Sequence, residues 1–387
     1  MSRTTFPSIL SLLLLGTGLT SSATAQQEQR LSQATIDSAS AIGISLPATI
    51  PADWRTIPTP KPAPPNASTM APWPTIDWTE ATPASQNVDQ QMLIPAFRYA
   101  GRHGSKAVLV IRNGYLIAEG YASGWNRYTQ QTGYSIAKSF TSALYGMVIG
   151  DGTLTDESEL VASYIPSWNN ANHGVVEVKD LLSMHSGLHW DFFSDYVLMP
   201  ASPNQNSFAV GQDMDTTPGA TWVYNNMGVQ VLSRTFQSAT GMQPADYATT
   251  RLAGVIGMWN ASWRTDQRGN TLTYQSVIAN AREFAKFGYL FLRNGEWDGQ
   301  QVVPQSWVTK STQPSQNLNP FYGYLWWLNT GGLEMTDVPA DAFYAAGLNE
   351  RRIYVVPSKD LVVIRLGAAN SSWDDNAFLG QICAAAN

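Results

Sequence analysis

Apolar and polar positions change rhythm several times along this chain of 387 residues. Near its start, Ile9 to Leu15 forms an unbroken apolar run, with Arg3 before it and Ala23-Thr24-Ala25 after it. The run is too short for a membrane span, which needs about 20 apolar residues. A basic residue, a short apolar run and a small-x-small triplet together predict a signal peptide over residues 1–25, cut after Ala25. Residues 26–78, with stretches such as "IPTPKPAPPNASTMAPWP", hold no helical or strand period and read as a Pro-rich extended arm or tether.

From about residue 79 onward the texture is that of a folded domain. "QNVDQQMLIPAFRYAGRHG" has helical spacing, and "KAVLVIRNGYLIAEGYASG" reads as two strands joined at Asn113-Gly114, the pair that most favours a tight hairpin. An apolar helix follows in "GYSIAKSFTSALYGMVIGDG". Residues 156–269 are broken by Pro, Gly and Asn but carry helical pieces, "VEVKDLLSMHSGL" and "MGVQVLSRTFQSATG", and predict a mostly helical lobe. "YQSVIANAREFAKFGYLFLRNG" predicts a long amphipathic helix, and "FYGYLWWLN", "DAFYAAG", "RRIYVVP" and "LVVIRLG" predict strands. Strands at both ends with helices between imply an α/β architecture: one antiparallel sheet assembled from the two ends of the domain, flanked by helices, with the helical lobe inserted.

Composition narrows the setting. Charged residues make up 13% of the chain, about half the usual share of roughly 25%. The net charge of -6 and the scatter of Lys and Arg leave no basic stripe for phosphates, which argues against a nucleic-acid partner. Cys383 is the only cysteine, so the chain has neither an internal disulfide nor a multi-Cys zinc site. Export without disulfides suits a bacterial periplasm or the medium outside.

The chemistry starts at Ser135 and Lys138. Three positions apart on a helix, their side chains share one face, and Ser135 sits where unpaired backbone N–H groups make the local field positive. A buried lysine there loses proton affinity and becomes available as a base, and a serine beside it becomes a nucleophile. The blander alternatives are an N-cap serine and a snorkelling surface lysine. Of the chain's lysines only Lys138 has Ser three positions before it, and of its 16 tyrosines only Tyr224 has Asn two positions after it. The Tyr224 phenol, near a lysine ammonium, is a candidate phenolate and proton carrier; the Asn226 amide can accept from Lys138 and donate to a substrate carbonyl. Asn226 also has the alternative of capping the helix that begins at Met227.

With these two motifs in this order, and with "VKDLLSMHSGLHW", "TTPGATWVYNN", "YGYLWW" and "AAGLNERRIYVVP" in theirs, the chain resembles the serine β-lactamase-like hydrolases. That superfamily includes class C β-lactamases, penicillin-binding proteins and D-peptidases. The likeness is strongest to the branch of 6-aminohexanoate-dimer hydrolases and esterases. It implies a β-lactamase-like fold, Ser135 as acyl-accepting nucleophile, and Lys138 and Tyr224 as the groups that move protons. It also implies an oxyanion hole from the N–H groups of Ser135 and Leu348 beside Gly347, and a tyrosine on the loop after "SGL", here Tyr196, that closes over substrate. The implied substrate is a small ester or amide, and no cofactor or metal is called for.

The chain departs from that pattern at the third motif. Where penicillin-recognising members carry Lys-Thr-Gly or His-Thr-Gly, it reads Ala345-Ala346-Gly347, so the cation that would hold a substrate carboxylate is missing. Arg351 and Arg352 follow closely, either as a substitute anchor or as ordinary solvated ends of a strand. Other constellations are weaker. "GYSIA" nearly matches a nucleophile elbow, but no His lies beyond residue 189 to complete that triad. His185 and His189 have the spacing of a metal pair but lack the Glu of the zinc motif. Trp326, Trp327, Tyr322 and Tyr324 are either the wall of an acyl pocket or core. Two functions remain: a serine hydrolase, D-peptidase and β-lactamase activity included, or a catalytically silent protein using the same cleft to bind cell-wall peptide or a partner.

Overall fold

The computed structural model of the protein describes residues 72–386. The expected signal peptide and most of the expected arm lie outside the described residues. Helix α1 (Gln90–Arg102) precedes a hairpin of β1 (Ser105–Arg112) and β2 (Tyr115–Tyr121). Helix α2 (Ile136–Gly150) follows, then a lobe of short helices whose longest member is α3 (Asn226–Thr240). Helix α4 (Ala281–Leu292) leads to strands β3 (Trp327–Leu328), β4 (Phe343–Gly347), β5 (Arg351–Val356) and β6 (Leu361–Gly367), and α5 (Asp375–Ala385) ends the domain. The six strands form one antiparallel sheet in the order β2-β1-β6-β5-β4-β3, so β1 and β6, from opposite ends of the domain, lie side by side inside it.

Both faces of this sheet are buried, which is why its strands read as nearly continuous apolar runs. In β1, Ala107, Leu109 and Ile111 face α2, α4 and the helical lobe, whereas Val108 and Val110 face α1 and α5. Strand β6 alternates in register, with Val362, Ile364 and Leu366 on the first side and Leu361 and Val363 on the second. The hairpin turns at Asn113 and Gly114, both with positive φ (53° and 80°), as its sequence requires. No described helix is long and apolar enough to cross a membrane.

Two elements differ from expectation, each for a local reason. The long helix predicted from Tyr274 starts only at Ala281, because Asn280 builds a capping box: its side chain accepts from the Glu283 N–H at 3.0 Å and its own N–H donates to Glu283 Oε2 at 3.1 Å. Residues 277–279 before it pair instead as the central strand of a small three-stranded sheet. The strand predicted across "FYGYLWWLN" shrinks to Trp327–Leu328, since Leu325 adopts φ 60° and breaks the ladder. Its aromatic residues are apolar for the sake of the core rather than of a sheet.

The first described residues are packed down. Trp73 lies against Tyr289 and Trp297, and the Trp78 indole donates to the Arg282 carbonyl at 3.0 Å. Buried Arg282 reaches Asp77, Glu80 and Glu119 at 2.7–2.8 Å. This ion network fastens the chain before α1 onto α4.

Candidate active site

The turn entering α2 is held from three sides. The Gly133 N–H donates to the Val277 carbonyl at 2.6 Å, and the Ser276 N–H to the Tyr134 carbonyl at 3.2 Å. Tyr134 sits at φ 48°, a conformation that costs a non-glycine residue free energy and persists only where its surroundings enforce it. That strain aims Ser135, the N-cap residue of α2, outward. Its side chain makes no cap hydrogen bond and remains half-buried.

Lys138 points from the first turn of α2 into the interior and is 1% exposed. Its Nζ lies within hydrogen-bond distance of Ser135 Oγ, at 3.0 Å, and donates to Asn226 Oδ1 at 2.7 Å and to the Tyr274 carbonyl at 2.8 Å. It is no snorkelling surface residue. Burial lowers its proton affinity below that of an ordinary lysine, partly opposed by the negative field of Asp195. Tyr224, just before α3, brings its hydroxyl to Ser135, and the Lys138 Nζ lies 4.7 Å from the centre of its ring. The phenolate suggested by the sequence is disfavoured here. Burial, first, and then the neighbouring groups Tyr196 and Asp195 push the Tyr224 pKa far above the ordinary phenol range, which favours the neutral O–H.

Asn226 accepts from Lys138 as expected, but its amide is not free for substrate. Only 4% exposed, it donates through Nδ2 to Asp195 Oδ2 at 2.8 Å. Asp195, wholly buried, also accepts from the Met227 backbone N–H at 2.9 Å, and burial raises its pKa. The Trp190 indole N–H faces the same carboxylate without closing a hydrogen bond. Tyr196, next to Asp195, stacks on Phe192 at 5.2 Å and turns its hydroxyl toward Asn226; burial and Asp195 push its pKa up to about 12.

Gly347 ends β4 against the turn entering α2, where a Cβ would stand 2.0 Å from the Gly133 carbonyl oxygen. Only glycine permits that approach, and it brings Leu348 next to the turn that presents Ser135. The hairpin after it has two consecutive non-glycine residues at positive φ, Asn349 (64°) and Glu350 (51°). Arg365, with no exposed surface, braces it by donating to both of their carbonyls while also bonding Ser105, His103 and Ala368.

The two arginines of β5 are not solvated strand ends. Arg351 is 8% exposed, lies 4.8 Å from the Tyr134 ring centre and donates to the Thr132 carbonyl, so it props the strained turn from below. Arg352 pairs with Asp375 at 3.1 Å and donates to the Gly347 carbonyl at 3.2 Å. Among the aromatic candidates, half-buried Trp327 stacks on Tyr224 with ring centres 5.9 Å apart. Tyr322 meets Trp327 edge-on, while Trp326 packs on Phe291 inside the core. The two histidines part company: His185 faces Asp180, and His189 lies between Asp191 and Asp215.

Ser135, Lys138, Tyr224, Asn226, Tyr196 and Gly347 thus converge on one place. Sequence reasoning missed the Tyr274 carbonyl, which no side-chain motif encodes, and Asp195, whose only signal is an acid set in the aromatic stretch "FFSDYVL".

The β-lactamase family model matches residues 86–378. The 6-aminohexanoate-dimer hydrolase of Paenarthrobacter ureafaciens is 25% identical over 300 residues, 70% of this chain and 73% of that protein. Among solved structures, a D-stereospecific amidohydrolase from a Streptomyces species superposes with a TM-score of 0.61 at 15% identity, covering 76% of this chain and 98% of its own. A family VIII carboxylesterase does so with a TM-score of 0.61 at 15% identity, covering 78% of this chain and 98% of its own.

Proposed function

Because the chain belongs to the β-lactamase family, we propose that it is a serine hydrolase that cleaves a small uncharged ester or amide through an acyl-enzyme on Ser135. One observation carries this reading. Two of the three Lys138 partners, Asn226 Oδ1 and the Tyr274 carbonyl, only accept hydrogen bonds. A neutral amine has two N–H groups to satisfy them, and its lone pair is then left for the third partner, the Ser135 hydroxyl. Burial keeps the amine neutral at a lower pH than an ordinary lysine.

In acylation, Ser135 Oγ bonds to the substrate carbonyl carbon while its proton passes to Lys138 Nζ. The carbonyl electron pair moves onto oxygen, where the N–H groups of Ser135 and Leu348 are proposed to receive it; each such donor is worth about 100- to 1,000-fold in rate. Collapse re-forms the carbonyl and breaks the bond to the leaving alcohol or amine. Tyr224, a neutral phenol beside Ser135, is placed to hand that group a proton and be replenished from Lys138. Water then repeats the sequence on the ester of Ser135, releasing the acid and restoring the serine.

A panel of nitrophenyl esters, aminohexanoate oligomers and D-peptides tests the reading. At least one is turned over by wild type and none by Ser135→Ala; equal turnover by both proteins would discard it. We further propose export to a bacterial periplasm or the medium, in line with the first 25 residues. N-terminal sequencing of exported protein checks this, with Gln26 as the expected first residue and retained Met1 as the contrary result.

A further inference from the structure

Within the hydrolase reading, on which this inference rests, the reactivity of Lys138 depends on which way round the Asn226 amide lies. With Oδ1 toward the amine, Asn226 takes up one of its N–H groups. Turned over, Nδ2 would face the amine and consume the lone pair that Ser135 needs. Lys138 has no means to choose between the two, because an amine both donates and accepts. The choice falls to whatever lies on the other side of Asn226.

That neighbour is Asp195. The residue is fully buried, and its two oxygens have separate duties: Oδ1 accepts from the Met227 N–H at 2.9 Å and Oδ2 accepts from Asn226 Nδ2 at 2.8 Å. Met227 lies in the first turn of α3, where a backbone N–H has no partner within the helix. Both contacts therefore require an acceptor, and the carboxylate provides one for each. A buried carboxylate is costly to keep, so its presence here without a salt-bridge partner in contact needs a reason.

We propose that Asp195 is a positioning residue for acyl transfer: by accepting from both the Asn226 amide and the Met227 N–H, it locks Asn226 with its oxygen toward Lys138. The amine lone pair is thereby kept on Ser135. Asp195 itself is wholly buried and makes no hydrogen bond to Ser135.

Exchange of the two side chains separates this role from simple support of the fold. In Asp195→Asn, one amide must serve two neighbours that both donate. When its oxygen takes the Met227 N–H, its NH2 group faces Asn226, which turns over. The fluorophosphonate labelling rate of Ser135 and kcat/KM on a nitrophenyl ester should then both fall by about a hundredfold, the scale of general base catalysis. In the double variant Asp195→Asn/Asn226→Asp, the new amide donates to the new carboxylate and accepts from Met227, and the carboxylate accepts from Lys138. Hydrogen-bond polarity is restored, and at least about tenfold of the lost rate should return.

The recovered activity should have its acidic limb at higher pH, because a carboxylate in contact with the amine favours the ammonium. The other titratable groups facing that amine, Ser135, Tyr224 and Tyr274, are the same in both variants. Wild-type labelling at Ser135 in the same assay stands for the hydrolase reading itself, so failure there is distinct from failure here. Asp195→Asn labelling at the wild-type rate would overturn the positioning role. So would a folded double variant as slow as the single one at every pH.

Discussion

Two lysines are buried among the described residues, and only one of them faces a hydroxyl. Lys138 and Lys286 are 1% and 3% exposed, and burial lowers the pKa of both, Lys286 to about 8. Lys286, on α4, donates to the carbonyls of Gly257 at 2.6 Å and Thr75 at 3.1 Å, and so ties the first described segment to the helical lobe. Lys138 also donates to two acceptors, but its third direction ends on Ser135 Oγ. A perturbed pKa therefore does not identify a catalytic base. In the proposed mechanism, what separates a base from a staple is the one partner able to give up a proton.

Removing each amine in turn should separate the two lysines. Lys138→Met should lower kcat/KM on nitrophenyl butyrate by at least about a hundredfold, whereas Lys286→Met should stay within severalfold of wild type. Equal losses would mean that burial alone, not the meeting with Ser135, governs activity.

A second expectation concerns the missing cation of the third motif. Ala345 is buried in β4, and Arg351 and Arg352 are committed to Thr132 and Asp375. A charge-assisted hydrogen bond to a substrate carboxylate contributes about 1.5–3 kcal/mol. Without one, chromogenic cephalosporin turnover should fall roughly 10- to 100-fold below that of a cation-bearing site. Uncharged esters lose nothing. A specificity constant for the cephalosporin above that for nitrophenyl butyrate would show that one of these arginines is released to bind it.

The smallest effect concerns stability. Lys286→Met strands the buried Gly257 carbonyl and the half-buried Thr75 carbonyl and should cost about 1–3 kcal/mol in urea unfolding. The folded-state pKa of Lys286 is lowered, so between pH about 8 and the ordinary lysine value near 10.4 the unfolded chain binds more protons, and stability rises with pH across that window. The variant should lose part of that rise. An unchanged slope would show that Lys286 does not titrate there.

The same contrast explains what was legible in the sequence. Ser135 and Lys138 could be paired by eye because a helix turn fixes their relation, and the apolar run after them guaranteed burial. The sheet was legible because β1 and β6 are buried on both faces and read as apolar runs between turn signals. Asp195 was not, since its contacts with Asn226 and Met227 span 31 and 32 positions and exist only once the lobe has folded. Arg351 and Arg352 looked like solvated strand ends because local sequence does not reveal that Tyr134 and Asp375 fold over them. A phenolate at Tyr224 is disfavoured for a related reason: proximity to a cation is visible in the sequence, but neither the burial of the phenol nor the groups beside it.

In the proposed mechanism it is neutral Lys138 that makes Ser135 nucleophilic. The most direct test is the rate of fluorophosphonate attachment as a function of pH, with the adduct located by peptide mapping. The label should fall on Ser135, at a rate that rises and reaches its plateau well below the ordinary lysine pKa of about 10.4, because the reactive amine is the deprotonated form and burial has lowered its pKa. An adduct on another serine, or attachment at Ser135 whose rate still climbs in step with an ordinary lysine, would contradict it.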